Sequence, residues 1–283
     1  MIESERDARV TPDFLYKTTL GRILLKPLTS RALSKAVGAF METRASKLLI
    51  PRFVKKNAID LDDYETEGWR SFNDFFCRQI KDGRRPCPRE TDVLVAPCDG
   101  LLTAYRIQDG LVLPIKQSEY SIERLLDDAT LAANYRNGLC LVFRLCVWHY
   151  HRYAYIETGR KLANRFIPGK LHTVQPIALE NRPVFVENCR DYAVIETPNL
   201  GKVVQLEVGA MMVGRIENLE RGEAEVRRGE EKGRFLFGGS TVVALIEEGR
   251  VELDSQLLAA SSRGEETPVR LGAVLGKASA QAN

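Results

Sequence analysis

Residues Arg228 to Ile246 have the sequence Arg-Gly-Glu-Glu-Lys-Gly-Arg-Phe-Leu-Phe-Gly-Gly-Ser-Thr-Val-Val-Ala-Leu-Ile, in which two glycines and a serine separate two β-forming runs. Gly238 and Gly239 permit backbone angles and a close approach that a side chain would forbid. The Gly239 carbonyl can therefore be held against the Ser240 hydroxyl, and such strain favours attack of the hydroxyl on the peptide bond. The same Gly-Gly-Ser-Thr run is also typical of an ordinary hairpin turn, so the pattern alone leaves both interpretations open.

From about Asp60 onward the chain contains short β-forming runs separated by Gly, Pro and Asn. Within Val203 to Val208, apolar residues alternate with Gln205 and Glu207, which is the period of a half-buried strand. Strands are predicted for Val93 to Val95, Leu101 to Ile107, Leu139 to Trp148, Tyr192 to Glu196, Val203 to Val208, Met211 to Ile216, Phe235 to Phe237 and Thr241 to Glu247. Helices are predicted for Ser121 to Asp128 and Leu131 to Tyr135. The sequence therefore predicts an α+β fold with a strand-rich body.

Residues 14 to 56 form a cationic block in which Glu42 is the only acid. Its basic residues are Lys17, Arg22, Lys26, Arg31, Lys35, Arg44, Lys47, Arg52, Lys55 and Lys56. Apolar residues recur through the block at helical spacing, with Pro27 and Pro51 as breaks, which predicts two or three amphipathic helices. These helices can pack on the body of the protein, lie on an anionic lipid surface, or do both with different faces.

The bulk composition is that of a globular protein: 283 residues, 44% apolar and 28% charged, with a formal net charge of +3. The six cysteines include no Cys-x-x-Cys pair, and with three histidines they indicate neither a zinc site nor a disulfide framework, which favours a reducing, cytosol-facing location. The N-terminal residues lack the order of a secretory signal, and no run approaches the roughly 20 apolar residues that span a bilayer. We therefore expect membrane contact to be peripheral and on the cytoplasmic side, and we expect no metal ion or nucleic acid.

Four separated blocks of the sequence resemble motifs of the phosphatidylserine decarboxylase family. The blocks are Phe72-Asn-Asp-Phe-Phe-Cys-Arg with Arg84-Arg-Pro, Ala96-Pro-Cys-Asp-Gly, His149-Tyr-His-Arg-Tyr, and Phe237-Gly-Gly-Ser-Thr-Val-Val. Weaker matches fill the gaps at Tyr120-Ser-Ile-Glu-Arg-Leu-Leu, Ile167-Pro-Gly-Lys-Leu-His-Thr-Val-Gln-Pro-Ile-Ala and Glu207-Val-Gly-Ala-Met-Met-Val-Gly-Arg-Ile. Each motif alone is weak, but all of them in the family's order and spacing, from about Phe72 to the strand after Ser240, identify the chain as a member.

The resemblance implies a self-cleaving, pyruvoyl-dependent lyase. Ser240 Oγ adds to the Gly239 carbonyl, and the ester eliminates to leave a covalent pyruvoyl group in place of Ser240, so that the chain becomes residues 1–239 and 240–283. The pyruvoyl ketone forms a Schiff base with the amine of phosphatidylserine, accepts the electron pair left by CO₂ and yields phosphatidylethanolamine. The implied partners are this lipid, an anionic membrane surface facing the cationic block, and the second fragment of the chain. The implied domains are a membrane-associating region, 1–60, and a catalytic domain, 61–283.

The resemblance also implies roles for individual residues. Asp99 matches the family aspartate that orients the base for self-cleavage, whereas the sequence alone favours a turn aspartate in Pro-x-Asp-Gly. His151 lies in an apolar stretch where a histidine is more often part of the core, but its motif implies proton transfer at the substrate carbon. Arg152 beside it would bind a phosphate or carboxylate. Cys98 has no evident activating partner and is interpreted as a small buried residue.

The sequence departs from the family pattern at two positions of the third block. His149 stands where most members have aspartate, and Ala154 stands where they have the second histidine, which is expected to deprotonate the serine. Another base is then required, for which His172 is the first choice and His149 the second. If neither acts, the chain would be an uncleaved, non-catalytic lipid-binding relative. A serine hydrolase using Ser240 is a further alternative, but the Gly-x-Ser-x-Gly elbow that it needs is absent.

Overall fold

The structure, a computed structural model, describes residues 31–108, 112–115, 118–172, 183–210, 215–237 and 240–279. Its helices are α1 (Arg31–Met41), α2 (Ile50–Asn57), α3 (Phe72–Phe76), α4 (Ile122–Leu126), α5 (Ala129–Ala133), α6 (Val184–Glu187) and α7 (Ser255–Ser262), with a 3-10 helix at Arg44–Leu49. Its strands are β1 (Val93–Val95), β2 (Gly100–Arg106), β3 (Val112–Ile115), β4 (Ser118–Ser121), β5 (Leu139–Leu145), β6 (Arg152–Ala154), β7 (Gly159–Lys161), β8 (Arg165–Ile167), β9 (Arg190–Thr197), β10 (Gly201–Gly209), β11 (Ile216–Asn218), β12 (Ala224–Val226), β13 (Glu231–Phe235), β14 (Ser240–Ile246), β15 (Val251–Leu253), β16 (Thr267–Val269) and β17 (Val274–Ala278). The predicted α+β fold with a strand-rich body is confirmed.

A nine-stranded antiparallel sheet carries most of the body. Its order is β12-β7-β9-β10-β14-β5-β2-β16, and β8 also pairs with β9. Strand β14 lies between β10 and β5 and is buried along its whole length. Val242 and Ala244 belong to one hydrophobic core, whereas Val243 and Leu245 belong to the other. A strand covered on both faces needs a continuous apolar run, and the sequence of β14 supplies one.

Strand β10 corrects one prediction from the sequence. The alternation of Val203 to Val208 predicts one wet face, but Gln205 and Glu207 are both fully buried. The reason is that the chain around β6 covers this face: the Gln205 side chain donates to the Ala154 carbonyl at 2.9 Å and accepts from the N–H of Ile156 at 3.1 Å. The polar residues of β10 therefore face the interior of the protein.

Strand β13, which precedes β14 in the chain, belongs to a smaller sheet, where it lies between β11 and β6. The predicted strand Phe235 to Phe237 is wrong in its extent, because β13 ends at Phe235. The Phe237 ring packs instead edge-on against Phe72 and Phe76 of α3, at centroid distances of 5.0 and 5.2 Å. Packing against α3 therefore ends the regular strand before the glycines.

The N-terminal helices pack on the body through their apolar faces. Met41 of α1 and Ile50 of α2 are buried in one cluster with Phe72, Phe75 and Phe76. Packing on the body is thus observed for this face, whereas lipid contact and the boundary at residue 60 stay predictions. Residues 1–30 of the predicted membrane-associating region lie outside the described residues. Among the described helices, none is long and apolar enough to cross a membrane.

Candidate active site

Ser240 is the first residue of β14, and its side chain is fully buried. Gly209 lies opposite it in β10, and Leu145 lies opposite it in β5. Gly209 therefore places no side chain against the serine. Within the described residues, Ser240 Oγ has no hydrogen-bond partner, which is uncommon for a buried hydroxyl. Gly239, the other half of the predicted cleavage site, lies outside the described residues.

His149 is connected to the strand beside Ser240 by a backbone contact. The N–H of Cys146 donates to His149 Nδ1 at 2.9 Å, and Cys146 follows Leu145, the residue paired with Ser240. Burial lowers the pKa of His149 to about 4, so the imidazole is neutral at physiological pH. Because Nδ1 accepts a hydrogen bond, the proton of the neutral ring is on Nε2. His149 therefore presents a donor, and not a base, at its second nitrogen.

His151 is completely buried and has the opposite tautomer. Its Nδ1 donates to the His149 carbonyl at 3.0 Å, because a carbonyl only accepts, and this leaves the lone pair on Nε2. In the part of the chain that the structure describes, this buried Nε2 has no hydrogen-bond partner. Burial holds the pKa of His151 well below its ordinary value, so the ring is neutral. The residue is buried as a core histidine would be, but one nitrogen is available for chemistry.

His172 meets a carboxylate and is tied to the strand opposite Ser240. Its Nε2 lies 3.2 Å from Oε2 of Glu187. The Asn188 side chain accepts the His172 N–H at 2.9 Å, and its amide donates to the carbonyls of His172 and Gly209 at 2.8 and 2.7 Å. Because Gly209 pairs with Ser240, Asn188 fixes the position of His172 relative to the serine.

Asp99 is buried, but its partner is an arginine. Arg85 Nε and Nη2 lie 3.0 and 2.8 Å from the two carboxylate oxygens, and the N–H of Leu271 donates to one of them at 2.8 Å. Among the contacts of the described residues, Asp99 has no hydrogen bond to a histidine. A role for Asp99 in orienting a base stays a prediction, while the carboxylate that meets a histidine belongs to Glu187.

Arg152 lines a polar cleft of about 380 Å³. Its Nε donates to the Cys77 carbonyl at 2.7 Å, and its Nη1 donates to both carboxylate oxygens of Glu231 at 2.9 Å. Arg234, in the same cleft, is paired with Glu217 at 2.9 Å. Acidic side chains thus already compensate both cations, and phosphate or carboxylate binding by Arg152 stays a prediction.

An apolar cleft of about 460 Å³ adjoins the polar cleft, and Glu42 and Leu236 line both. The remaining walls of the apolar cleft are formed by Ser34, Lys35, Gly38, Ala39, Phe166, Leu171, Cys189, Arg215 and Ile216. Leu171 precedes His172, and Leu236 lies on the segment between β13 and Ser240. The cleft therefore extends from α1 to the neighbourhood of the serine.

The sequence of this chain was compared with family models and with known proteins. The model of the family described as phosphatidylserine decarboxylase matches residues 72–277. A relative from Clostridium acetobutylicum, phosphatidylserine decarboxylase proenzyme 2, is 42% identical over 93% of this chain and 90% of its own length. This chain belongs to the phosphatidylserine decarboxylase family. Phosphatidylserine decarboxylase proenzymes from Clostridium beijerinckii and Ruminiclostridium cellulolyticum are 35% and 36% identical over 93% of the chain and 91% and 89% of their own lengths.

The family resemblance predicted from the sequence is therefore confirmed, and with it the prediction of an enzyme of the phosphatidylserine decarboxylase family. Two residues of the site, Glu187 and Asn188, were not predicted, because neither lies in a family block and Asn188 is 16 positions from His172. Arg85 lies in the Arg84-Arg-Pro block, which was the signal that could have identified it. Cys98 is fully buried, and burial raises its pKa well above the ordinary value, as expected for a packing residue.

Proposed function

We propose that this chain is a phosphatidylserine decarboxylase, made as a proenzyme that cuts itself between Gly239 and Ser240. The observation that carries the proposal is the Ser240 hydroxyl, which is buried at the start of a central strand and has no partner among the described residues. All three histidines of the chain are connected to the strands or the segment around this serine. The relatives are named as proenzymes, which supports a chain that matures by cleavage.

The cleavage needs no oxidant or co-reactant other than water. Ser240 Oγ bonds to the Gly239 carbonyl carbon while the Gly239–Ser240 C–N bond breaks, which leaves an ester and a free amine. Loss of the Cα proton and breakage of the Cβ–O bond then give a carboxylate on Gly239 and dehydroalanine at position 240. Water hydrolyses this enamine and releases ammonia, so that a pyruvoyl group begins the second chain, 240–283.

The surroundings of position 240 are compatible with a pyruvoyl group. Position 240 is fully buried, Gly209 places no side chain against it, and no described residue depends on its hydroxyl for a hydrogen bond. The ketone of the group supplies a binding point for the amine of the serine headgroup and a sink for the electron pair released with CO₂. The residues around it have to bind the lipid, exclude water and move protons.

His172 is the base that we assign to Ser240. Glu187 Oε2 lies 3.2 Å from its Nε2, close enough for the carboxylate charge to stabilise the protonated imidazole. Asn188 holds the main chain of His172 against the carbonyl of Gly209, opposite Ser240. His149 suits this role less well, because its Nδ1 is occupied by the N–H of Cys146 and its Nε2 carries the proton.

His151 is the residue through which we route the proton to the substrate carbon. Its Nε2 is the buried nitrogen with a lone pair, and its Nδ1 is fixed by the His149 carbonyl. The Phe76 ring packs on the imidazole at a centroid distance of 3.9 Å and keeps its orientation. The backbone of His151 accepts the N–H of Phe235, five residues before Ser240, which places it beside the cleavage segment.

The apolar cleft between α1 and the body is the place that we assign to the acyl chains of the lipid. Large apolar side chains remain exposed on the adjoining N-terminal helices, namely Leu33, Phe40, Leu48 and Leu49. Leu48 is 84% exposed, and basic residues surround it in the sequence. An exposed apolar patch within a cationic block suits peripheral contact with an anionic bilayer on the cytoplasmic side of the cell membrane.

The proposal is tested by incubating the full-length protein with vesicles that contain phosphatidylserine labelled at its carboxyl carbon. We expect labelled CO₂ from the wild type and none from Ser240→Ala, which stays uncut. Activity in an uncut Ser240→Ala chain would overturn the proposal. An uncut wild-type chain that binds the vesicles without releasing CO₂ would instead support the non-catalytic lipid-binding alternative.

A further inference from the structure

An ion pair is completely buried next to the proposed cleavage site. Lys232 Nζ lies 2.6 Å from Oε2 of Glu207, and neither side chain has any exposed surface. Lys232 Nζ also donates to Oδ1 of Asn218 at 3.0 Å, and the Tyr153 hydroxyl donates to the same oxygen at 3.2 Å. We call these four residues the Glu207 network.

The network joins the strands that carry the reacting groups. Glu207 lies in β10, two residues before Gly209, the residue paired with Ser240. Side chains two apart on one strand share a face, so Glu207 and Ser240 are diagonal neighbours on one face, with a typical residue spacing of about 7–8 Å. Lys232 lies in β13, the strand that leads into the cleavage segment, and Tyr153 lies in β6, two residues after His151.

Stability does not account for this pair. Replacing a buried ion pair by apolar residues of similar size is often neutral or stabilising, because desolvation offsets the attraction between the charges. The pair is also incompletely satisfied: within the described residues, Glu207 Oε1 is buried without a hydrogen-bond partner. A costly, incompletely bonded pair at this place indicates a function beyond packing.

We propose that the Glu207–Lys232 pair is a positioning device for self-cleavage, which holds β13 and the segment after it against the strand that faces Ser240. The pair ties β13, the strand before the cleavage site, to β10, the strand that pairs with β14. Tyr153 and Asn218 extend the same support to the strand after His151. This inference rests on the proposed function, because it assigns a part in the cleavage that the function requires.

The pair should give cleavage a characteristic pH dependence. Burial raises the pKa of Glu207 to about 7, against the opposing effect of Lys232. The other titratable groups that interact with Glu207 are Asp191 on β9, Lys161 on β7, Tyr153 on β6, and Tyr155 and Cys98 in loops. As pH falls through the raised pKa of Glu207, the carboxylate takes up a proton, the charge attraction is lost and the two strands are held less firmly. His149 and His151 do not titrate in this range, since burial lowers the pKa of each.

The test times the appearance of the two fragments after pulse labelling in cell-free translation, on both sides of neutral pH. The test variant is E207M/K232M, and the matched control is E157M/R228M. Glu157 and Arg228 form another buried ion pair, at 2.8 Å with side chains 3% and 7% exposed, and neither belongs to the proposed machinery. Thermal unfolding of both variants checks that each is folded.

We expect E207M/K232M to cut about 100-fold more slowly than the wild type, the effect of a misplacement of roughly 1 Å, and to lose the part of the pH dependence that comes from Glu207. The control should cut at the wild-type rate and keep that dependence. E207Q, which preserves shape but cannot carry the negative charge, serves if the double variant does not fold; it should cut more slowly than the wild type at every pH tested.

Wild-type rate and pH profile in E207M/K232M, or an equal loss in the control, would overturn the inference while leaving the proposed function intact. A wild-type rate of cutting in E207Q would overturn it as well. A wild-type chain that stays whole would overturn the proposed function itself, and the positioning role with it.

Discussion

Arg78 and His151 share one acceptor: Arg78 Nη2 and His151 Nδ1 lie 3.1 and 3.0 Å from the carbonyl oxygen of His149. Arg78 ends the first family block and His151 lies in the third, so two distant motifs meet at one backbone atom. The Arg78 guanidinium is almost fully buried and also donates to the Trp148 carbonyl at 2.9 Å. It therefore holds the loop that orients His151 and places a positive charge beside the imidazole.

Removing the Arg78 charge should raise the pKa of His151. Burial is the largest cause of the lowered pKa, and the Arg78 charge adds to it, so Arg78→Met should move the pKa upward towards its ordinary value. The ring would then remain protonated to a higher pH, and the acid limb of the decarboxylation profile should move in the same direction. NMR titration of the His151 ring measures the shift. A pKa that is unchanged or lowered in Arg78→Met would contradict the assigned electrostatic contact.

The three histidines should separate cleavage from turnover. His151→Ala should cut at a rate closer to that of the wild type than His172→Ala does. Its CO₂ release per cut chain should fall about 100-fold or more, because we assign proton transfer to His151. His172→Ala should slow cutting by a similar factor, whereas His149→Ala should affect it less. Fragment formation is scored first, and CO₂ release is then normalised to the cut protein. The reverse pattern for His151 and His172 would overturn both assignments.

Asn188→Ala tests how His172 is positioned. The substitution removes the amide that bridges the His172 and Gly209 carbonyls, so cutting should slow by about tenfold. The free energy of unfolding should also fall, by about 1–3 kcal/mol for each buried group left unpaired. Asn199→Ala is the matched control, since its side chain donates to the Thr91 carbonyl away from the site. Equal cutting rates in the two variants would show that the bridge has no part in the cleavage.

Asp99 should stabilise the folded protein, because it compensates the charge of the buried Arg85 side chain. Asp99→Asn leaves the buried guanidinium of Arg85 with less compensation, and the free energy of unfolding should fall by about 3 kcal/mol in urea titrations. In the double variant R85M/D99N the loss should be smaller than the sum of the two single losses. A stable Asp99→Asn chain that no longer cuts would instead support the family role, in which the aspartate orients a base.

Local patterns predicted the long strands of the central sheet better than the short strands. The run predicted at Val93 to Val95 is β1, and the run predicted at Thr241 to Glu247 is β14, which begins and ends one residue earlier. Short strands such as β7, β12 and β16 were not predicted. The helix predicted over Ser121 to Asp128 is shorter, because the Ser121 hydroxyl caps its start and Asp127 ends it in a left-handed conformation with φ 51°. Helix ends depend on such caps, which periodicity alone does not locate.

The ends of the predicted strand Met211 to Ile216 also differ from those of the observed strand. Residues 211–214 lie outside the described residues, and β11 begins at Ile216 and ends at Asn218. Among the described residues the predicted and observed strands share only Ile216, and the rest of the predicted strand is untested.

Contacts between distant residues could not be predicted from the sequence. Glu207 and Lys232 are 25 positions apart, and alternation along β10 placed Glu207 on a wet face. Burial of that face follows only once β6 and β13 are folded against it. The pairing of Asp99 with Arg85, and of Glu187 with His172, likewise depends on which loops meet.

Mass spectrometry of the purified protein shows directly whether Ser240 becomes a pyruvoyl group. We expect two chains, 1–239 and 240–283, with the N-terminal peptide of the second chain lighter than its serine form by one ammonia. An unmodified serine at position 240 in protein that releases CO₂ from phosphatidylserine would show that the reaction does not depend on a pyruvoyl group.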